Sequence, residues 1–139
     1  MTSDIYIIRS KNALITPPYE LEESSFEVID RRIENYKRLV EEYPEINFYI
    51  YYLETLPFSE HHPLNVYFSN SDRGQSADYF KNNLPDQIKF ASFDLKGIND
   101  HLSYFYRTDH HWNTIGILKA YDDIYNLLSE NYTNMPDKL

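Results

Sequence analysis

Cysteine is absent from the 139 residues, which removes disulfide frameworks, thiolate nucleophiles and Cys-type zinc sites together and leaves the redox compartment open. Long apolar runs are absent as well. No stretch reaches the ~18 residues of a spanning helix. The opening Met1-Thr-Ser-Asp4 lacks the basic region and apolar run of an export signal. Neither a membrane span nor a signal peptide is therefore expected in this chain. Basic charge is scarce: 13 Lys and Arg face 22 Asp and Glu, for a net charge of −9. No clustered Lys/Arg face offers the counterion release on which phosphate-backbone binding depends, so nucleic acid is not an expected partner. Internal repeats, low-complexity tracts and clear linkers are missing too.

What the chain has is aromatic surface. Its 14 Tyr, 8 Phe and single Trp make up 17% of the residues, within a hydrophobic fraction of 42%. A disordered, highly charged chain carries far less. The length is that of one domain, which would bury about 68% of the surface its unfolded chain exposes.

Periodicity divides the chain into α and β elements. Ile5–Ile8 and Ala13–Thr16 flank a polar Arg9-Ser-Lys-Asn12 step and read as a short edge hairpin stopping at Pro17-Pro18. Phe26, Ile29, Ile33, Tyr36, Val40 and Tyr43 fall on one stripe of an amphipathic helix. Ser24 with Glu27 reads as its capping box, and Pro44 marks its end. The acidic residues between Glu20 and Glu45 are then its solvated face. Ile46–Leu53 is aromatic and β-branched with little polar alternation, as in a central strand buried on both faces. Glu54–Asp72 reads as a long loop with one brief strand at Val66–Phe68. Ser76 is placed to cap a helix running to about Leu84, ended by Pro85. A second strand over Ile88–Asp94 completes a βαβ unit, so the expected class is α/β with a parallel sheet. A helical turn around Leu95–Leu102 and a last helix over Thr114–Ser129 follow. The apolar face of that helix is Ile117, Leu118, Tyr121, Ile124, Tyr125 and Leu128. Residues 131–139 read as a frayed tail.

The densest chemistry is Thr108-Asp109-His110-His111-Trp112-Asn113, just before the last helix. In an extended segment residues i and i+2 project to one side, so Asp109 and His111 can meet while His110 faces away. A carboxylate beside an imidazole fixes its tautomer and orientation and stabilises the imidazolium, which is the requirement of an acid–His dyad. Asn113 or Thr114 can cap the helix, leaving His111 at its N-terminus, where positive charge is disfavoured and a neutral general base is favoured. Two other readings compete with this one. The Asp–His pair can be simple capping and surface polarity, or Asp109, His110, His111, His101 and the His61-His62 pair can ligate a metal. Against the metal, adjacent histidines project apart and no H-E-x-x-H spacing is present.

Tyr106-Arg-Thr-Asp-His-His-Trp-Asn113, followed by an amphipathic helix, closely resembles the signature of the DHHW proteins. These look like relatives of the alginate O-acetyltransferase domains, which are SGNH-hydrolase-like and carry a Thr-Asp-x-His-Trp motif. The resemblance implies an SGNH-hydrolase-like three-layer αβα domain with a short parallel sheet over residues 1–130, lacking its C-terminal part, with 131–139 as a tail. It implies O-acetyl transfer or acetyl-ester hydrolysis on a cell-surface polysaccharide, with an acetyl donor as a further partner, no cofactor, and a place outside the cytoplasm or in the cell envelope. Asp109 and His111 are then similar to the orienting acid and general base of a Ser–His–Asp triad. Trp112 packs beside them, His110 is a family feature without an assigned role, and Asn113 supports the loop.

The nucleophile is the point of departure. In the alginate-acetylating relatives it lies downstream of the Asp-x-His motif, in a Gly-Asp-Ser-like turn after a further strand. Here only one helix and a short tail follow, with Ser129 inside the helix. Upstream, Ser69 and Ser71 lie in a polar loop, and Gly74-Gln-Ser76 contains a Gly-x-Ser that the helix cap already explains. The expectation is a chain that holds the Asp–His part of a triad without its nucleophile, and little esterase activity from this chain alone. The alternative is a non-catalytic carbohydrate-binding or structural module, with Tyr67, Tyr104 and Tyr106 available to stack on sugar rings.

Overall fold

The computed structural model describes residues 4–109, 111–132 and 134–138. The chain is α/β. Strands β1 (Tyr6–Ile8) and β2 (Ala13–Ile15) form the antiparallel hairpin, joined by a 3-10 turn over Arg9–Lys11 that ends with Asn12 in the left-handed region at φ 49°. Helix α1 spans Glu23–Glu42, β3 Phe48–Leu53, α2 Gln75–Asn83, β4 Ile88–Phe93, α3 Ile98–Tyr104 and α4 Thr114–Ser129. β3 and β4 pair in parallel, Phe48 opposite Ile88 through to Leu53 opposite Phe93. No helix among the described residues is long and apolar enough to cross a membrane.

Alternation along β4 assigns the two faces of the sheet. Phe90 faces α2, its ring 6.4 Å from Phe80, and Phe80 meets Tyr36 of α1 at 5.9 Å. Phe93 faces the other way and is fully buried. It stacks on Trp112 at 5.8 Å and meets Tyr104 edge-on at 5.2 Å. On that same side Tyr51 of β3 donates to Asp123 of α4 at 2.9 Å. The result is the three-layer αβα arrangement expected, with a core of Ile15, Leu56, Phe93, Leu95, Phe105 and Ala120 between the sheet, the hairpin and α4.

Five local expectations need correction. At the start of α1, Glu22 occupies the cap. Ser25 Oγ accepts from the Glu22 N–H at 3.2 Å, while Ser24 donates to the Glu22 carboxylate at 3.3 Å, so Ser24 does not cap through Glu27. At α2, Ser76 sits inside the first turn, and fully buried Asp72 is the capping group. Asp72 accepts from Ser76 N at 3.0 Å and from its hydroxyl, because a carboxylate set back from the helix start reaches both groups. Val66–Phe68 is no strand: Asn65–Tyr67 is a 3-10 turn. Buried Asn65 pins it by donating to the carbonyls of Ser59 and Glu60 at 3.1 and 2.9 Å.

β3 is neither central nor buried on both faces. Its six residues are half-buried, and among the described residues it pairs only with β4. A cleft of about 790 Å3 runs between α1 and Ile50–Leu53, because α1 packs on α2. In α4 the buried residues are Gly116, Ala120 and Leu127, whereas Ile117 and Leu118 are 55% and 59% exposed. Gly116 sets this rotation, since a Cβ there would overlap the Tyr104 carbonyl oxygen. The small side of the helix can approach the 104–105 backbone and the bulky side cannot. Beyond α4 the chain folds back, with Tyr125 OH donating to the Pro136 carbonyl at 2.8 Å and Lys138 pairing with Asp122 at 3.0 Å.

Candidate active site

The loop between α3 and α4 is closed by a short antiparallel bridge between Phe105 and Trp112. Tyr106 N–H donates to the His111 carbonyl at 3.1 Å, and Asp109 N–H donates to that of Tyr106 at 3.3 Å. Asn113 fastens its far end. Its Oδ1 accepts from Ile115 N and Gly116 N at 2.9 and 3.0 Å, capping α4, while its Nδ2 donates to the Ser103 carbonyl at 2.8 Å. The hairpin braces the other side: Arg107 donates to the Lys11 carbonyl at 2.5 Å, and Leu14 N–H donates to that of Arg107 at 2.9 Å.

Held this way, Asp109 Oδ1 lies 2.7 Å from His111 Nδ1 and also accepts the His111 backbone N–H at 3.2 Å. The two side chains meet as the i, i+2 spacing predicts. The carboxylate oxygen is placed to accept from Nδ1–H, the geometry that favours the Nδ1-protonated tautomer. Both side chains are exposed, 69% for His111 and 46% for Asp109, so the pair adds little to folding stability.

The remaining site candidates separate. Trp112 stacks on Phe93 and closes the core beneath the loop, and His110 lies outside the described residues. His62 is buried, with Nε2 on the Thr16 carbonyl at 3.0 Å and Nδ1 accepting from Leu64 N at 3.1 Å. His61 pairs with Glu60 at 3.1 Å, and His101 is buried behind Phe105. Among the described residues no three His, Cys, Asp or Glu side chains converge as a metal site. Three of the four candidate serines are hydrogen-bonded locally: Ser71 Oγ donates to the Phe68 carbonyl at 3.1 Å, Ser76 to Asp72, and Ser129 to the Tyr125 carbonyl at 2.7 Å, while Ser69 is exposed. Of the three tyrosines, Tyr67 and Tyr106 are 78% and 53% exposed, and Tyr104 packs on Phe93.

Glu54 escaped the sequence reading, and His101, which the sequence offered only as a metal ligand, is a buried imidazole. Glu54, just past β3, accepts from Leu95 N, and burial pushes its carboxyl above the ordinary range. His101 is pushed below the ordinary imidazole range by burial first and by His62 second. The only sequence signal for Glu54 is its position just after a strand.

No protein-family model matches the chain, and no curated protein matches it. Among solved structures, Bacillus cereus PatB1 with a sulfonyl adduct is similar, with a TM-score of 0.75 and 20% identity over 97% of this chain and 47% of that one. A second structure of Bacillus cereus PatB1 matches with a TM-score of 0.66 and 21% identity over 97% of this chain and 46% of that one. This chain therefore spans about half the length of PatB1, and what it shares with that half is the fold.

Proposed function

We propose that the chain is the Asp–His-bearing portion of an SGNH-like protein of the DHHW kind, which transfers or hydrolyses O-acetyl esters on a cell-surface polysaccharide in the cell envelope. The observation that carries this reading is the 2.7 Å contact of Asp109 Oδ1 with His111 Nδ1, in a loop fastened at both ends in front of α4. The likeness to a protein solved with a sulfonyl adduct supports it, because sulfonyl adducts form on nucleophilic atoms such as those of acyl-transfer sites.

In this mechanism Asp109 holds the His111 Nδ1–H, and Nε2 takes the proton of an attacking serine hydroxyl as its oxygen bonds to the ester carbonyl carbon. Nε2 then gives that proton to the departing sugar oxygen as the original ester bond breaks. A second hydroxyl, from a sugar or from water, repeats the cycle and releases the acyl group. The serine is not assigned to Ser71, Ser76 or Ser129, whose hydroxyls are bonded elsewhere. The test is turnover of 4-nitrophenyl acetate by the full-length gene product. His111→Ala is expected to lower the rate by about 10²–10⁴-fold, and wild-type rates in that variant would overturn the reading.

A further inference from the structure

A crevice of about 390 Å3 opens between the carboxyl half of the parallel sheet and α2, a volume within the ~300–1,000 Å3 of small-molecule sites. Open α/β sheets take their ligands beyond the carboxyl ends of their strands. Here Glu54 and Asp94, the residues that follow β3 and β4, both line the crevice. Alternation puts Tyr52, Phe90 and Ser92 on the same face of the sheet as these two carboxylates. The rings of Tyr52 and Phe90 stack at 6.2 Å and 25°, and Lys81 of α2 lies over Phe90 at 5.7 Å. The hydroxyls of Tyr52 and Ser92 and the charged ends of Asp78, Asp94 and Lys96 have no hydrogen-bond or ion-pair partner among the described residues. Unpaired donors and acceptors beside an aromatic surface define what complements them. A sugar hydroxyl both donates and accepts, so one pyranose ring satisfies carboxylate and ammonium together, while its C–H face covers the rings. Carboxylates and cations line the crevice together, Glu60 and Asp78 with Arg73 and Lys81, so a charged ligand of either sign meets like charge.

We propose that this crevice binds a neutral pyranose unit, its ring face on Tyr52 and Phe90 and its hydroxyls hydrogen-bonded to Ser92, Asp94 and Lys96. In the acyl-transfer reading, on which this role for the sugar rests, the bound unit belongs to the polysaccharide whose O-acetyl ester is transferred or hydrolysed. One step of the chain separates the crevice from the cavity that Asp109 borders. Glu54 lines the first, and Thr55 lines the second together with Ile15 and Asp109.

The probes are cellotriose and tri-N-acetylchitotriose, neutral pyranose trimers with no ester for the Asp109–His111 pair to cleave, titrated into the isotope-labelled chain. Saturable shifts are expected with at least one of them at the Tyr52 and Phe90 ring signals and at the Ser92 amide. Asp94 and Lys96 are exposed, so Asp94→Ala and Lys96→Ala should leave the fold intact and each weaken binding by about fivefold or more. Asp86→Ala, outside the crevice, should leave it unchanged. Raising NaCl from about 50 to about 500 mM should change the affinity by less than about twofold, since the ligand carries no charge. Absence of saturable shifts at Tyr52 and Ser92 with both trimers, or undiminished binding in both crevice variants, would overturn the proposal. Binding is read without turnover, so sugar binding beside unaffected ester turnover in His111→Ala would count against the acyl-transfer reading alone. Turnover lost in His111→Ala without any sugar binding would count against the crevice alone.

Discussion

His62 and His101 show how one residue type takes two roles under burial. In His62 both ring nitrogens are used, one on a carbonyl and one accepting an amide N–H, which fixes a neutral tautomer and leaves nothing for chemistry. In His101 the Nδ1 is left over. Burial pushes both imidazoles down, so the unfolded chain binds their protons more readily. Their stabilising effect is complete above about pH 6.5 and is lost as the pH falls from there toward the lowered folded values. Glu54 acts with the opposite sign: raised in the folded chain, it favours folding as the pH drops through its folded value toward its ordinary one. Urea midpoints should therefore fall between pH 7.5 and pH 5.5, and His101→Gln should flatten that dependence. An unchanged slope in the variant would show that His101 titrates normally.

Helix α4 carries the clearest lesson at the level of elements. Its span, Thr114–Ser129, and its cap, which the sequence leaves between Asn113 and Thr114 and the structure gives to Asn113, follow from a short polar side chain before a periodic run, and the Asp109–His111 contact follows from i, i+2 geometry. All three were legible because each depends on neighbours along the chain. The face that α4 buries was not legible. Periodicity favours the bulky stripe of Ile117, Leu118 and Ile124, yet the close approach to the Tyr104 carbonyl demands a position without a Cβ. The capping of α2 by Asp72 and the open edge of β3 escaped for a related reason, since both depend on how distant segments pack. Gly116→Ala would ordinarily strengthen a helix by about 1 kcal/mol; here it should destabilise by about 1–3 kcal/mol, because backbone must move. Asn113→Ala should cost about 1–2 kcal/mol. Chemical denaturation checks both, and a stabilised Gly116→Ala would show that α4 is rotated differently.

For the molecule as a whole, the likeness in fold to about half of PatB1 goes with a two-stranded sheet, an open cleft beside β3 and an apolar stripe of α4 facing outward. Stability should accordingly be concentrated on the side of the sheet where Phe93, Phe105 and Trp112 pack. Phe93→Ala is expected to cost about 3–5 kcal/mol, whereas Leu118→Glu, despite its place in an apolar stripe, should change stability by less than about 0.5 kcal/mol. Comparable losses in the two variants would contradict the orientation of α4. The functional reading rests on a smaller feature, the proton between Asp109 and His111, and long-range proton–nitrogen correlation spectra observe that proton directly. They should show His111 protonated at Nδ1 with Nε2 bare near pH 8, and a weaker preference for that tautomer in Asp109→Ala. A His111 ring protonated at Nε2 in the unaltered chain would contradict the assignment of His111 as an Asp-oriented base.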